Sequence, residues 1–208
     1  MKIEHIASKP DRAGRYWVRF SDQSTLGVYR QTVEDFELFP GKTLTDEEMG
    51  ALRQEAGKMS ARMRAVRILT ASNVSSRDLQ QRLIRKGENP EQAQEAVAWM
   101  TEKNLLDDSQ TAAQIVARCV ARGYGVSRAR QMLYEKQIPR ELWDEALASY
   151  PDQLEKIVAF LRERLEAHPQ QRDIKRATDA LQRRGHSWND IRRGLNCVLQ
   201  DGDFQEEV

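Results

Sequence analysis

Leu79-Gln80-Gln81-Arg82-Leu83-Ile84-Arg85-Lys86-Gly87 decides the fold, because the chain goes on to repeat it. At an offset of 50 it aligns with Ala129-Arg130-Gln131-Met132-Leu133-Tyr134-Glu135-Lys136-Gln137. At a further offset of 48, that segment aligns with Ala177-Thr178-Asp179-Ala180-Leu181-Gln182-Arg183-Arg184-Gly185. Leu83, Leu133 and Leu181 coincide, as do Val97, Leu147 and Leu195 downstream. A recurrence of this length is the mark of stacked supersecondary units, and the coincident apolar positions are expected to face each unit's core. Few other positions match outright, so the repeat is degenerate.

Each repeat reads as three helices. Their starts carry capping chemistry: Ser75 with Asp78 and a Val74 to Leu79 staple, Asn89 followed by Pro90 at the first helical position, Asp173, and Ser187. Leu154, Ile157, Val158, Leu161 and Leu165 form the clearest amphipathic stripe. Trp99, Trp143 and Trp188 fall in or beside the third helices and are expected to pack in the core. Units this small leave apolar faces that neighbours cover, so the repeats should stack.

Outward from the repeats, the beginning of the chain has a different period. Lys2 to Ile6, Arg15 to Phe20 and Leu26 to Tyr29 read as strands, with Tyr16, Val18 and Phe20 alternating with Trp17 and Arg19, and a turn at Ser21-Asp22-Gln23-Ser24. After Pro40-Gly41 a helix is announced by Thr45 and Glu48 as a capping box and by Leu44 with Met49 as a staple. The expected fold is therefore mainly all-α: three tandem three-helix repeats in an elongated curved array, preceded by a small α/β unit. The expected divisions are 1–58 for that unit, 59–108, 109–151 and 152–200 for the repeats, and 201–208 for an acidic tail.

The 208 residues are 39% hydrophobic and 31% charged, enough apolar content to fold and a charge density that suits an extended helical surface. No run is apolar enough for a membrane span and Met1 opens no signal peptide, so a cytoplasmic protein is expected, monomeric and without membrane attachment. The formal charge of +1 conceals a division: residues 1–60 carry 9 basic and 10 acidic groups, whereas residues 61–200 carry 24 and 18.

Catalytic chemistry is hard to assemble from these residues. Asp107-Asp108 precedes a helix expected near Ser109, where Asp108 would cap it. Gly123-Tyr124-Gly125 lacks the third glycine of a dinucleotide fingerprint and the lysine of a P-loop, and reads as a tight turn needing positive φ. Cys119 and Cys197 are far apart in apolar patterns and read as buried free thiols; His5, His168 and His186 are scattered. No metal, cofactor or catalytic residue is expected.

What recurs is positive charge. Lys86, Lys136 and Arg184 occupy one repeat position, Arg85 matches Arg183, Arg77 matches Lys175, and Arg128 matches Arg176. Arg118, Arg122 and Arg130 add to the second repeat, and Arg192 and Arg193 to the third. A basic position repeated through a stacked array draws a line of charge that suits a polyanion or an acidic protein groove.

The run Leu105-Leu106-Asp107-Asp108-Ser109 through Arg122-Gly123-Tyr124-Gly125, then Arg128-Ala129-Arg130-Gln131-Met132-Leu133 to Ile138, resembles the central motif of RecX proteins. Ala65-Val66-Arg67-Ile68-Leu69 and Ser75-x-x-Asp78-Leu79-x-x-x-Leu83-x-x-x-Gly87 resemble their first repeat. The resemblance covers about residues 60–200, and the first 60 are similar to an extension found on some members. There are two departures. Thr111 stands where a large apolar residue is usual, and Gln137 where glycine is usual.

The resemblance implies three three-helix repeats that bind RecA, docking along its filament on single-stranded DNA and lowering recombinase, ATPase and coprotease output. On that reading Arg82, Arg85, Lys86, Arg118, Arg122, Arg128, Arg130, Lys136, Arg183 and Arg184 are the expected contacts to the recombinase or its DNA. The residues alone leave open a helix-turn-helix-like protein that binds nucleic acid independently of RecA, and a scaffold for an unrelated protein.

Overall fold

A computed structural model describes residues 1–166 and 168–203. The chain forms two compact units, Met1–Asp107 and Asp108–Val208.

The first unit opens with an antiparallel sheet in the order β1 (Ile3–Ile6), β2 (Tyr16–Phe20), β3 (Thr25–Val28). Val18 and Phe20 are buried while Trp17 and Arg19 are exposed, the alternation expected of a sheet covered on one face. In the β2–β3 turn the Asp22 carboxylate accepts hydrogen bonds from the Ser24 amide and hydroxyl, at 3.0 and 2.6 Å. A short helix, α1 (Arg30–Asp35), leads to α2 (Asp46–Ala71), whose 26 residues pass through the division expected at residue 58. The Thr45 hydroxyl accepts from the Glu48 amide (3.1 Å) and the Glu48 carboxylate accepts from the Thr45 amide (2.7 Å), so the expected capping box forms. Leu44, Met49, Leu52 and Ala56 cover the sheet. Farther along α2, Ala61, Ala65 and Ile68 pack on α3 (Ser76–Arg85) and α4 (Pro90–Glu102), through Leu79, Leu83, Ala93, Ala96 and Met100. One helix thus serves two cores.

The second unit holds α5 (Asp108–Ala121) and α6 (Val126–Glu135), then a 3₁₀ turn (Arg140–Leu142) running into the short α7 (Trp143–Leu147). A second trio follows: α8 (Leu154–Arg162), α9 (Gln171–Arg183) and α10 (Trp188–Asp203). Each trio has its own core, one around Cys119, Ala129, Leu133 and Ile138, the other around Ile157, Leu161, Leu181 and Ile191. The aligned leucines Leu83, Leu133 and Leu181 are all buried.

The repeat has a backbone cause. α3, α6 and α9 end on Lys86, Lys136 and Arg184, and the residue after each is left-handed: Gly87 at φ 89°, Gln137 at 54° and Gly185 at 83°. In each case its amide bonds back to the carbonyl three residues earlier (Ile84, Tyr134, Gln182), and the next amide reaches Leu83, Leu133 or Leu181, a Schellman ending. α4 and α5 close the same way, through Asn104 (φ 55°) and Gly123 (φ 65°), with the next amides reaching the Met100 and Cys119 carbonyls. The residue after the left-handed one, Glu88, Ile138 or His186, is turned inward and buried.

Several local expectations shift. α9 begins at Gln171, so Asp173 lies in its first turn, where its charge complements the helix dipole without capping it. α5 begins at Asp108, one residue earlier than expected, which puts Asp107 at the flanking position. Trp188 is 52% exposed and not in the core: at the first position of α10 its side chain leans past the helix end. Trp99 and Trp143 are partly buried against their cores. Cys119 is buried but Cys197 only half-buried, and neither is in a disulfide. Of the expected acidic tail, 201–203 continue α10 and 204–208 lie outside the described residues.

Gln137 carries a side chain in a conformation that costs an L-residue about 1 kcal/mol or more, so Gln137→Gly should raise the melting midpoint, by roughly 0.5–1 kcal/mol of stability. A Cβ on Gly87 meets nothing within 4 Å, whereas one on Gly185 would lie 2.3 Å from the Arg128 backbone nitrogen. Gly87→Ala should therefore cost only the strain, ~1 kcal/mol, and Gly185→Ala about 2–4 kcal/mol, both read by denaturant titration.

Candidate functional site

The second unit is organised by the turn Gly123-Tyr124-Gly125. Gly123 has the positive φ expected, but Gly125 does not, at φ −83°. Its lack of a side chain answers a close approach instead: a Cβ there would stand 2.0 Å from the Gly185 carbonyl oxygen. Through that gap the Gly125 amide donates to the Arg184 carbonyl (2.9 Å) and the Ser127 amide to the Gly185 carbonyl (3.3 Å). The amides opening α6 and the carbonyls closing α9 thereby satisfy one another, and their opposite dipole ends meet. The Tyr150 hydroxyl donates to the Tyr124 carbonyl at 2.7 Å, and Lys156 reaches the Val120 carbonyl. Burial pushes the Tyr150 phenol up to about 12. His186 is buried with Nε2 3.0 Å from the Gly123 carbonyl; a carbonyl only accepts, so Nε2 bears the proton. Burial pushes the imidazole below its usual value, with Arg184 adding to the effect and Gly123 and Asp190 opposing it.

This clasp sets a cleft of about 430 Å³ lined by Tyr124, Arg128, Phe160, Ala180 and Arg164, Arg183 and Arg184. The Arg164 and Arg184 guanidinium carbons lie 3.9 and 4.5 Å from the Phe160 ring centroid. Ring and guanidinium attract through the ring's quadrupole, so both arginines are held in place.

The first unit has a groove of about 470 Å³ lined by Arg64, Arg67, Arg82, Lys86, Ile68, Ala71 and Ser72. Its charges are more nearly balanced. Arg82 forms two 2.9 Å contacts to Asp78, and Arg64 lies 2.6 Å from the buried Glu88 carboxylate and donates to the Lys86 carbonyl at 2.7 Å.

The ten expected contact residues are thus dispersed. Arg82 and Lys86 share the first groove; Arg128, Arg183 and Arg184 share the second cleft. Arg85 lies 3.9 Å from Asp78, and Arg118, Arg122, Arg130 and Lys136 are exposed but line neither. The three aligned cations, Lys86, Lys136 and Arg184, are all helix C-caps, where a positive charge complements the dipole. Their recurrence has a local cause before any functional one.

Arg64, Arg67, Arg164 and Phe160 are further members that the repeat alignment does not reach. A signal for one pair was available: Phe160 and Arg164 stand four apart, a spacing that brings side chains together around one turn. Burial pushes the Cys119 thiol up, away from the thiolate, and its sulfur lies 3.3 Å from that of Met132. Among the described residues no helix is long and apolar enough to cross a membrane.

The family model described as the second three-helix domain of RecX matches residues 107–147, which contain α5 to α7 and the Gly-Tyr-Gly turn. The regulatory protein RecX of Xanthomonas axonopodis pv. citri (strain 306) is 31% identical over 144 residues, 66% of this chain and 87% of its own length. The chain belongs to the RecX family. RecX of Clostridioides difficile (strain 630) is 26% identical over 210 residues, 98% of this chain and 97% of that one. A crystal structure of regulatory protein RecX covers 96% of this chain and 98% of its own at TM-score 0.69 and 20% identity, a likeness of fold. The crystal structure of RecX from Lactobacillus salivarius covers 71% of this chain and 97% of its own, at TM-score 0.61 and 18% identity. The mainly helical RecX fold with a small amino-terminal sheet is thus the architecture found here.

The buried neutral His186 gives this RecX chain a pH dependence of known sign. Below the ordinary histidine value of 6.5 the unfolded chain takes up a proton that the folded one resists, so stability is full above that value and falls as pH drops through it. The melting midpoint of the full chain should fall between about pH 7.5 and about pH 5.5, and His186→Gln, which can still donate to Gly123, should flatten that fall. An unchanged fall in the variant would assign the dependence to other groups.

Proposed function

We propose that this protein binds the RecA recombinase filament on single-stranded DNA and lowers its recombinase, ATPase and coprotease output, acting as a monomer by binding and not by catalysis. The observation that carries the reading is the 31% identity to a regulatory protein RecX over 87% of that relative's length. The distribution of charge supports it. Basic surfaces occur in both units, and many modest contacts spread along one partner add to a high avidity without chemistry. The contacts proposed are Arg82, Arg85, Lys86, Arg118, Arg122, Arg128, Arg130, Lys136, Arg183 and Arg184.

The test is to add the full chain to RecA, ATP and single-stranded DNA and to follow ATP hydrolysis and filament length. Hydrolysis should fall and filaments shorten at stoichiometric protein; no change in either would overturn the reading. Arg85, Lys86, Lys136 and Arg183 are exposed, so reversing their charge should leave the circular dichroism unchanged. Inhibition should then weaken at least about tenfold in the concentration required, and more at higher salt. Full inhibition by the reversed variant would remove these four from the interface.

A further inference from the structure

We infer that the Arg128–Arg164–Arg183–Arg184 cleft is a binding site for a nucleotide phosphate together with its adjoining base. The first argument is charge. Four guanidiniums line one cleft of about 430 Å³, and two of them have carboxylate partners: Arg128 at 3.5 Å from Glu135 and Arg164 at 2.8 Å from Glu163. Among the described residues Arg183 and Arg184 are in no ion pair. The carbonyls at the end of α9 that would otherwise offset them are engaged, Arg184's by the Gly125 amide and Gly185's by the Ser127 amide. Arg164 and Arg184 crowd a single ring, which places their like charges within about a Debye length (~8 Å) of each other. Such an arrangement is relieved by an anion that accepts from more than one planar fork, as a phosphate does.

The second argument is the rest of the lining. Phe160 is already covered by two guanidiniums, so the surfaces the lining offers an unstacked base are the Tyr124 ring and the guanidinium planes themselves. A bare carboxylate would use the charges and leave those planes and most of the volume idle. The third is rigidity. Tyr124 is pinned at its carbonyl by Tyr150, Arg128 follows the Gly125–Gly185 contact, and Arg164 and Arg184 rest on one ring, so little ordering remains to be done on binding. The same chemistry is offered by a single strand and by a free nucleoside triphosphate.

The test uses the full chain without RecA, so its result is independent of the proposal above. A fluorescein-labelled oligothymidylate is titrated by anisotropy, and ATP is titrated alone and as a competitor. Arg164→Gln/Arg183→Gln should weaken binding at least about tenfold, while Arg12→Gln/Arg53→Gln, the same charge change at exposed positions of the first unit, should weaken it less than about threefold. Thermal melting checks the fold. Should the double variant melt early, Arg183→Gln alone, at an exposed position, should still weaken binding about threefold or more. Oligothymidylate binding without ATP binding supports the site and assigns it to a strand; ATP binding lost in the cleft variant supports it and assigns it to free nucleotide. The proposal is overturned if neither probe binds, if the control pair weakens binding as much as the cleft variants do, or if polyglutamate competes as well as the oligonucleotide.

Discussion

Two helix ends that satisfy each other hold the second unit together. The amides that open α6 have no side-chain cap, and the carbonyls that close α9 have no further turn to bond to; they are paired across a gap that only two glycines allow. An unpaired buried amide or carbonyl costs roughly 1–3 kcal/mol, so this exchange removes a penalty from both helices at once. It also decides what lies nearby. Arg128 directly follows Ser127 and Arg184 itself supplies one of the two accepting carbonyls, so the contact between the backbones sets both arginines at the cleft.

The left-handed helix ending is the device behind the repeat. Short helices must reverse sharply to pack on one another, and a Schellman ending does this while bonding the last carbonyls and turning the next residue inward. That inward residue is then free to specialise. Ile138 simply packs, Glu88 binds Arg64 and Ser60 of α2, and His186 reaches across to Gly123. One backbone solution supports three different attachments, which is why the repeats share so few side chains.

The basic residues show how one pattern can have two causes. A cation at a helix C-terminus is favoured by the dipole wherever the helix is, so recurrence at the C-cap does not by itself mark a binding face. What distinguishes Arg184 from Lys86 and Lys136 is its surroundings: it rests on Phe160 beside Arg164, whereas the other two are exposed, Lys86 at the edge of the first groove. In the first unit Asp78 and Glu88 neutralise much of the corresponding charge.

Much of this was legible in the sequence because it is local. The Thr45–Glu48 box, the Ser75 and Asn89 caps, the alternation of Val18 and Phe20 with Trp17 and Arg19, and the leucines at 83, 133 and 181 depend on neighbours within a turn or a strand, and they stand where they were expected. Even the cost at Gln137 was readable, because a helix ending needs a left-handed residue whatever surrounds it. The candidate site was not local. Gly125 is a glycine because of Gly185, sixty positions away, and Phe160 brings Arg164, four residues on, together with Arg184 at the end of α9, which no periodicity connects to it. By itself the sequence determined where helices begin, end and bury their faces, since hydrogen bonding and side-chain period act over a few residues. Only the tertiary structure decided which charges are neutralised and which converge, because electrostatics and close packing act through space between residues the chain keeps far apart.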